Sequence, residues 1–301
     1  MDFVPGIVAH VYGVAPRRVL REHGGSINEC FIVDLESTGE SSKVPERVFI
    51  KVNDDEAMFR AEAVGLEALR ATQATRVPEV YRVGSAGNAA FLLMEYIPMT
   101  TSRESYDTLG VALARLHIHK APSEKFGFST DNFIGLTPQK NAWNSDWVAF
   151  YRQRLQSQVD MIRERGECSS EGFLQRVQTV IERLDVFFDE DETIGPSLLH
   201  GDLWQGNWGF TTQSGEAVLF DPAAYYGHHE ADLAMMTLFG DVPEEFYDAY
   251  FAIVPKAKRY ADRVPLYQLY HALNHFNLFG SAYQGMCDGL MKPLLRQISE
   301  S

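Results

Sequence analysis

Leu198-Leu199-His200-Gly201-Asp202-Leu203-Trp204-Gln205-Gly206-Asn207, followed by Phe220-Asp221-Pro222, is the stretch on which the reading of this chain turns. An Asp with an Asn five positions on, in a tight loop with glycines, can present a base and a metal ligand to one cleft. Two brief strands are expected around the turn at Gly215, over 207–212 and 217–220, so that Asp221 arrives after a short hairpin with a second hard oxygen. Phosphoryl transfer needs this set: a carboxylate to orient the attacking hydroxyl, and oxygen ligands for Mg²⁺ on the phosphates. An Asp or an Asn alone is more simply a turn cap. Three such groups together, with His200 before them, point to chemistry.

Working outward, the first hundred residues read as strand-rich. Strands are expected over 30–35, 47–52, 79–83 and 90–96, with one helix over 56–70. Lys51 ends the run Val48-Phe49-Ile50-Lys51, where its ammonium could reach phosphates, and Glu62 on the following helix could hold it by an ion pair. Gly24-Gly25-Ser26-Ile27-Asn28 is a turn whose backbone amides could approach an anion. Pro98 interrupts the pattern and marks the lobe boundary, giving residues 1–97 and 98–301. Beyond it the periodicity turns helical, over 106–119, 146–164 and 171–188. The fold class is therefore α+β, a small β-rich lobe before a larger helical one, and ligands favour the cleft between two such lobes.

Composition narrows the function. The 301 residues are 45% hydrophobic and 23% charged, an ordinary globular balance. With 27 Lys and Arg against 41 Asp and Glu, the net charge of −14 argues against a nucleic-acid partner. Cys30, Cys168 and Cys287 lie far apart with no CxxC pair, which fits a reducing cytoplasm. No run of eighteen apolar residues occurs, and the apolar stretch from Phe3 to Val14 is broken by Pro5, Gly6, His10 and Gly13. A soluble, cytoplasmic monomer without a membrane partner is the expectation.

The spacing of His200, Asp202 and Asn207 matches the H-x-D-x-x-x-x-N part of the kinase signature, with Gly201 where protein kinases carry Arg. Further runs point the same way: Phe220-Asp221-Pro222-Ala223-Ala224-Tyr225-Tyr226-Gly227, Glu230-Ala231-Asp232-Leu233-Ala234-Met235, Leu269-Tyr270-His271-Ala272-Leu273-Asn274-His275, Phe49-Ile50-Lys51-Val52-Asn53 and Asp131-Asn132-Phe133-Ile134-Gly135. On these residues the chain resembles the fructosamine kinase (ketosamine-3-kinase) family, in the aminoglycoside phosphotransferase and choline kinase branch of the protein-kinase-like fold. The resemblance implies a bilobal kinase-like fold, ATP and Mg²⁺ as cofactors, and phosphorylation of the 3-hydroxyl of a ketosamine as a deglycation step. It implies Asp202 as catalytic base, Asn207 and Asp221 as metal ligands, and Lys51, Glu62, Gly24, Gly25 and Ser26 around the phosphates. It further implies that Glu95 and Ile97 offer backbone groups to adenine, that Asp232 braces the catalytic loop, and that Trp204 and His275 meet the substrate. The chain departs from the family pattern at Gly227-His228-His229-Glu230, where the family has Gly-Asp-Arg-Glu, and at Phe239-Gly240-Asp241-Val242. A fixed guanidinium is thereby lost, which puts a salt bridge or substrate contact in question.

Other readings compete less well. His271 and His275 have the H-x-x-x-H spacing, but no Glu between them could activate a zinc-bound water. His228 and His229 are expected at a turn or cleft rim. Trp143, Trp147, Phe150 and Tyr151 are read as core, and Cys30 as a small buried strand residue. A kinase of another hydroxyl acceptor, aminoglycoside- or choline-like, is the neighbouring alternative. A nucleotide-binding regulator without catalysis is the distant one, and intact Lys51, Asp202, Asn207 and Asp221 argue against it.

Overall fold

Alternation along Val48-Phe49-Ile50-Lys51-Val52 sorts the N-terminal sheet into two faces. The structure, a computed structural model, describes residues 3–22, 27–36, 44–101, 105–166, 171–189 and 191–301. Strands β1 (Pro16–Glu22), β2 (Glu29–Leu35), β3 (Arg47–Asn53), β4 (Val80–Ala86) and β5 (Ala89–Glu95) form one antiparallel sheet in the order β1-β2-β3-β5-β4. Phe31, Val33, Val48, Ile50, Phe91 and Leu93 point to one face and pack on Val4, Ile7 and Val8 of helix α1 (Val4–Tyr12). Leu92 and Met94 point to the other, joining Phe59, Leu66 and Leu69 of helix α2 (Glu56–Ala71) in the main core. Lys51, in register between Cys30 and Leu92, is on that second face.

Helix α1, over a stretch where the sequence reading placed no element, runs through Pro5 and Gly6. Pro in the first turn forfeits an N–H that would be unpaired anyway, and the helix ends at Gly13 in a left-handed conformation. Strand β1 has no counterpart in the sequence reading, whereas β2 to β5 and α2 fall close to expectation. Asp55 caps α2 by accepting the N–H groups of Ala57 and Met58.

After Pro98 the chain pairs at once with the C-terminal part, β6 (Met99–Thr100) against Phe210 and Thr211. Helices α3 (Tyr106–Ile118), α4 (Trp147–Arg165), α5 (Glu171–Glu182), α6 (Glu230–Met236), α7 (Glu244–Phe251), α8 (Tyr260–Phe279) and α9 (Gln284–Glu300) form the larger lobe. The segment read as one helix over 171–188 ends at Glu182 and closes with a 3₁₀ turn over Leu184–Phe187. Of the aromatic group read as core, Trp147, Phe150 and Tyr151 are buried on α4. Trp143 precedes the helix and is 41% exposed, so helical spacing did not extend to it.

Three short pairings set the geometry of the cleft. Hairpin β7 (Asn132–Ile134) and β8 (Thr137–Gln139) stands at one side. Strand β9 (Ser197–Leu199) pairs with β12 (Tyr225–Gly227), so the loops after Leu199 and before Tyr225 lie side by side. Hairpin β10 (Trp208–Thr211) and β11 (Ala217–Leu219) connects them, with Gly215 at its bend. No helix among the described residues is long and apolar enough to cross a membrane.

One buried ion pair joins the helices behind these loops. Arg263 of α8, with no exposed surface, meets both carboxylate oxygens of Glu230 at 2.7 Å and Glu192 at 2.8 Å. Removing the cation strands a buried carboxylate, so Arg263→Met is expected to lower unfolding free energy by about 3–5 kcal/mol. Urea unfolding measures this, and a change within error of zero would contradict the assignment.

Candidate active site

The two faces of the cleft come from different parts of the sequence: β2, β3, α2 and β5 on one side, the 200–207 and 220–224 loops on the other. The cleft holds about 690 Å³, and Lys51, Glu62, Asp202, Asn207 and Asp221 all line it. Lys51 Nζ is 2.6 Å from Glu62 Oε1 and 2.6 Å from Asp221 Oδ1. Burial would discharge this ammonium, but Asp221 and Glu62 more than offset that and hold it charged, above the usual lysine range. Glu62 is pushed upward, first by its own burial and then, against the pull of Lys51, by Asp221. Asp221 sits at φ 59°, a left-handed conformation rare for a residue with a side chain, and its Oδ2 makes no hydrogen bond among the described residues.

Asp202 and Asn207 are tied within their own loop. Asn207 Nδ2 donates to the Asp202 carbonyl at 2.8 Å and to Asp202 Oδ2 at 3.2 Å, which leaves Asn207 Oδ1 unpaired among the described residues. Burial, and then the negative charge of Asp221, push the Asp202 carboxyl up to about 7, against the bond from Asn207.

His200, fully buried, links the two loops through its tautomer. Its Nε2 lies 2.8 Å from the Phe220 carbonyl, which can only accept, so Nε2 carries the proton. Nδ1 then accepts the N–H of Asp202 at 3.3 Å. Burial lowers its pKa and keeps the ring neutral. From behind, Asp232 accepts the N–H groups of His200 at 2.7 Å and Gly201 at 2.9 Å, with His117 Nε2 at 3.2 Å. Gly201 has φ 83°, and a Cβ there would meet the Ala223 carbonyl oxygen at 2.1 Å. Only glycine lets the two loops approach this closely.

The remaining expected residues fall as follows. Glu95 and Ile97 line the cleft, but the N–H of Glu95 donates to the Glu79 carbonyl, so only its own carbonyl could serve a ligand. Its side chain is ion-paired with Arg76. Trp204 is 39% exposed at the cleft and lies so close over Gly206 that a Cβ there would be 2.2 Å from the ring. His275 also lines the cleft. Its Nδ1 donates to the His271 carbonyl at 2.8 Å, so the neutral ring, favoured by burial, turns an accepting Nε2 outward from that bond. Gly24, Gly25, Ser26 and Cys168 lie outside the described residues. Cys30 is buried and its thiol is pushed up to about 11 by burial, which fits the expected small strand residue.

One expectation holds only in part. His229 stands at the turn before α6, but neither histidine lines the cleft: His228 is 3% exposed, bonds Tyr267 Oη at 2.6 Å and packs on Trp147, behind the loops. With Glu230 they bring ligand atoms within 4.8 Å of one another, yet both Glu230 oxygens are already held by Arg263. Asn132 and Asn274, to which the sequence reading gave no role, also line the cleft. Asn132 follows Asp131 and Asn274 precedes His275, so neither stands out from its polar neighbours.

The donor set suits Mg²⁺. Asn207 Oδ1 and Asp221 Oδ2 are hard oxygens, free of other bonds, beside a buried cation able to meet phosphate.

A sequence profile described as fructosamine kinase matches residues 12–297. A chloroplastic protein-ribulosamine 3-kinase of Arabidopsis thaliana is 41% identical over 254 residues, 83% of this chain and 76% of that one. A probable ketoamine kinase of Synechocystis is 40% identical over 278 residues, covering 91% and 88% of the two chains. Among solved structures, a candidate fructosamine-3-kinase of Thermobifida fusca superposes with a TM-score of 0.82 at 31% identity, over 98% of this chain and 99% of that one. The aminoglycoside phosphotransferase APH(4)-Ia shares the fold with a TM-score of 0.69 at 14% identity, over 97% and 98%. The fold is bilobal and protein-kinase-like.

The raised Asp202 carboxyl has a consequence for stability. The folded protein holds this proton up to about pH 7, whereas an unfolded Asp releases it near pH 4, so stability falls as pH rises through that window. Asp202→Asn removes the penalty. In chelator-treated, nucleotide-free protein the variant is expected to gain on the wild type by at least about 1 kcal/mol between pH 5 and pH 8. A difference that does not change with pH would contradict the half-buried, charge-opposed carboxyl.

Proposed function

The chain belongs to the fructosamine kinase family and is a kinase, and we propose that it transfers the terminal phosphoryl group of ATP to the 3-hydroxyl of a ketosamine, the Amadori-type adduct of a sugar with an amine or a protein lysine. The convergence of Asp202, Asn207, Asp221 and Lys51 on one cleft carries this reading. The ribulosamine and ketoamine kinases among its relatives support the acceptor class.

In this reading Lys51, steadied by Glu62, meets the nucleotide phosphates, while the Glu95 carbonyl and the Ile97 N–H take the adenine edge. Asn207 Oδ1 and Asp221 would hold Mg²⁺, which when bound neutralises phosphate charge. Asp202 orients the 3-hydroxyl and takes its proton as the bond from O3 to the γ-phosphorus forms and the bond from that phosphorus to the departing ADP oxygen breaks. A carboxyl lifted toward neutrality is a better proton acceptor than an ordinary Asp. Trp204 gives the sugar a flat apolar platform, and His275 Nε2 accepts from one of its hydroxyls. Phosphorylation at O3 destabilises the adduct and frees the amine, which makes the reaction a deglycation step.

Given Mg²⁺ and a ribulosamine or fructosamine, the wild type is expected to consume ATP, and Asp202→Asn to lower turnover at least about a hundredfold. Equal turnover in the two would remove Asp202 from the mechanism. Asp221→Ala is expected to weaken Mg-nucleotide binding in calorimetry, and an unchanged affinity would contradict its role as a ligand. A panel of tetrose-, pentose- and hexose-derived ketosamines, scored by phosphate transfer, ranks the acceptors. Transfer to none of them, alongside transfer to an aminoglycoside or choline, would overturn the ketosamine reading.

A further inference from the structure

Arg154 of α4 is a buried cation with no carboxylate within ion-pair distance among the described residues. It is 4% exposed and lies over the Tyr225 ring at 4.3 Å. Its Nη1 donates to Gln139 Oε1 and its Nη2 to Asn141 Oδ1, while Nε has no partner. Burying a guanidinium on neutral amides is unfavourable, and an apolar side chain of similar volume would fill the space without that penalty. Packing does not explain the choice.

We propose that Arg154 is a positioning residue which, through Gln139 and Asn132, sets the backbone of the loop that carries Asp221. The argument rests on the direction of each hydrogen bond. A guanidinium only donates, so Gln139 must turn Oε1 toward it, and Tyr270 Oη donates to the same oxygen at 2.7 Å. Gln139 Nε2 is then left to face its cross-strand partner Asn132, whose Oδ1 accepts at 3.0 Å. Asn132 in turn has only Nδ2 to offer, and it donates to the Ala224 carbonyl at 2.7 Å. A donor-only group at one end and an acceptor-only carbonyl at the other fix both amides between them, either of which could otherwise flip.

The end point matters because the 221–224 loop is held against its own preference. Asp221 adopts the left-handed φ of 59°, which persists only where the surroundings over-determine it. On one side the Ala223 N–H donates to the His200 carbonyl at 2.9 Å. Asn132 supplies the clamp on the other side. The proposal depends on the nucleotide site read above but not on the identity of the acceptor.

Gln139→Glu separates the relay from simple satisfaction of the buried charge. A carboxylate still accepts from Arg154 and Tyr270, now as an ion pair, but has no N–H for Asn132. The readout is the dissociation constant for Mg-AMP-PNP by calorimetry, without acceptor, beside the melting temperature of the free protein. Gln139→Glu and Arg154→Met are expected to weaken nucleotide binding at least about tenfold, Gln139→Glu without a loss of melting temperature, whereas Arg154→Lys, still donor-only, stays within about threefold. Wild-type affinity in Gln139→Glu, or Arg154→Met binding as tightly as Arg154→Lys, would overturn the relay. Should Gln139→Glu fail to fold, the ranking of the two Arg154 variants decides. A wild type that binds no Mg-nucleotide would instead defeat the nucleotide reading itself.

Discussion

One buried ammonium organises this protein. Lys51 bridges Glu62 on α2 and Asp221 on the C-terminal loop at 2.6 Å each, so a single charge ties strand, helix and the distant loop to one point. Two carboxylates share one cation, and Asp202 stands close enough to feel the excess negative charge. The arrangement is electrostatically unfinished, with net negative charge gathered around a cleft that has oxygen ligands to spare. A polyphosphate carried by a divalent cation supplies what the site lacks, an added positive charge for the acids and an anion for the lysine.

The second constraint is the close approach of the two loops. Pairing of β9 with β12 sets them side by side, Gly201 removes the Cβ that would strike Ala223, and neutral His200 spans from the Asp202 N–H to the Phe220 carbonyl. Asp232 holds the first loop from behind and Asn132 the second from the side. Much of the buried polar structure of the larger lobe, from His117 to Arg154, thus serves to fix backbone near the reacting groups. This agrees with a reaction whose catalysis is mostly positioning and charge stabilisation.

Much of this was legible in the sequence where local chemistry and local pattern coincide. Lys51 was read at the end of a strand run, helical spacing put Glu62 on the following helix, and the His200–Asn207 and Phe220–Pro222 runs marked the two loops that line the cleft. What was not legible depends on contacts between distant segments. Helix α1 is short and was not read, because its apolar face is defined only by the sheet that covers it. Trp143 looks like the continuation of a helix that in fact begins at Trp147. His228 reads as polar, yet Tyr267 and Trp147 enclose it behind the loops, while the half-buried His229 packs on Tyr250. Arg154 gave no sign of its role, because Gln139 and Tyr225 reach it from short, separate strands and Asn141 from the stretch after one of them.

The proposed function requires one spatial arrangement, in which Asn207 and Asp221 would offer oxygens to one cation, with Lys51 and Asp202 on either side of the phosphate it carries. A crystal grown with AMP-PNP and Mn²⁺, with the metal located by its anomalous scattering, tests this most directly. The account predicts a metal peak bonded to Asn207 Oδ1 and an Asp221 carboxylate oxygen, with phosphate oxygens completing its shell and Lys51 on the same phosphates. Metal and nucleotide bound away from these side chains, or nucleotide held in the cleft with both oxygens unused, would contradict it.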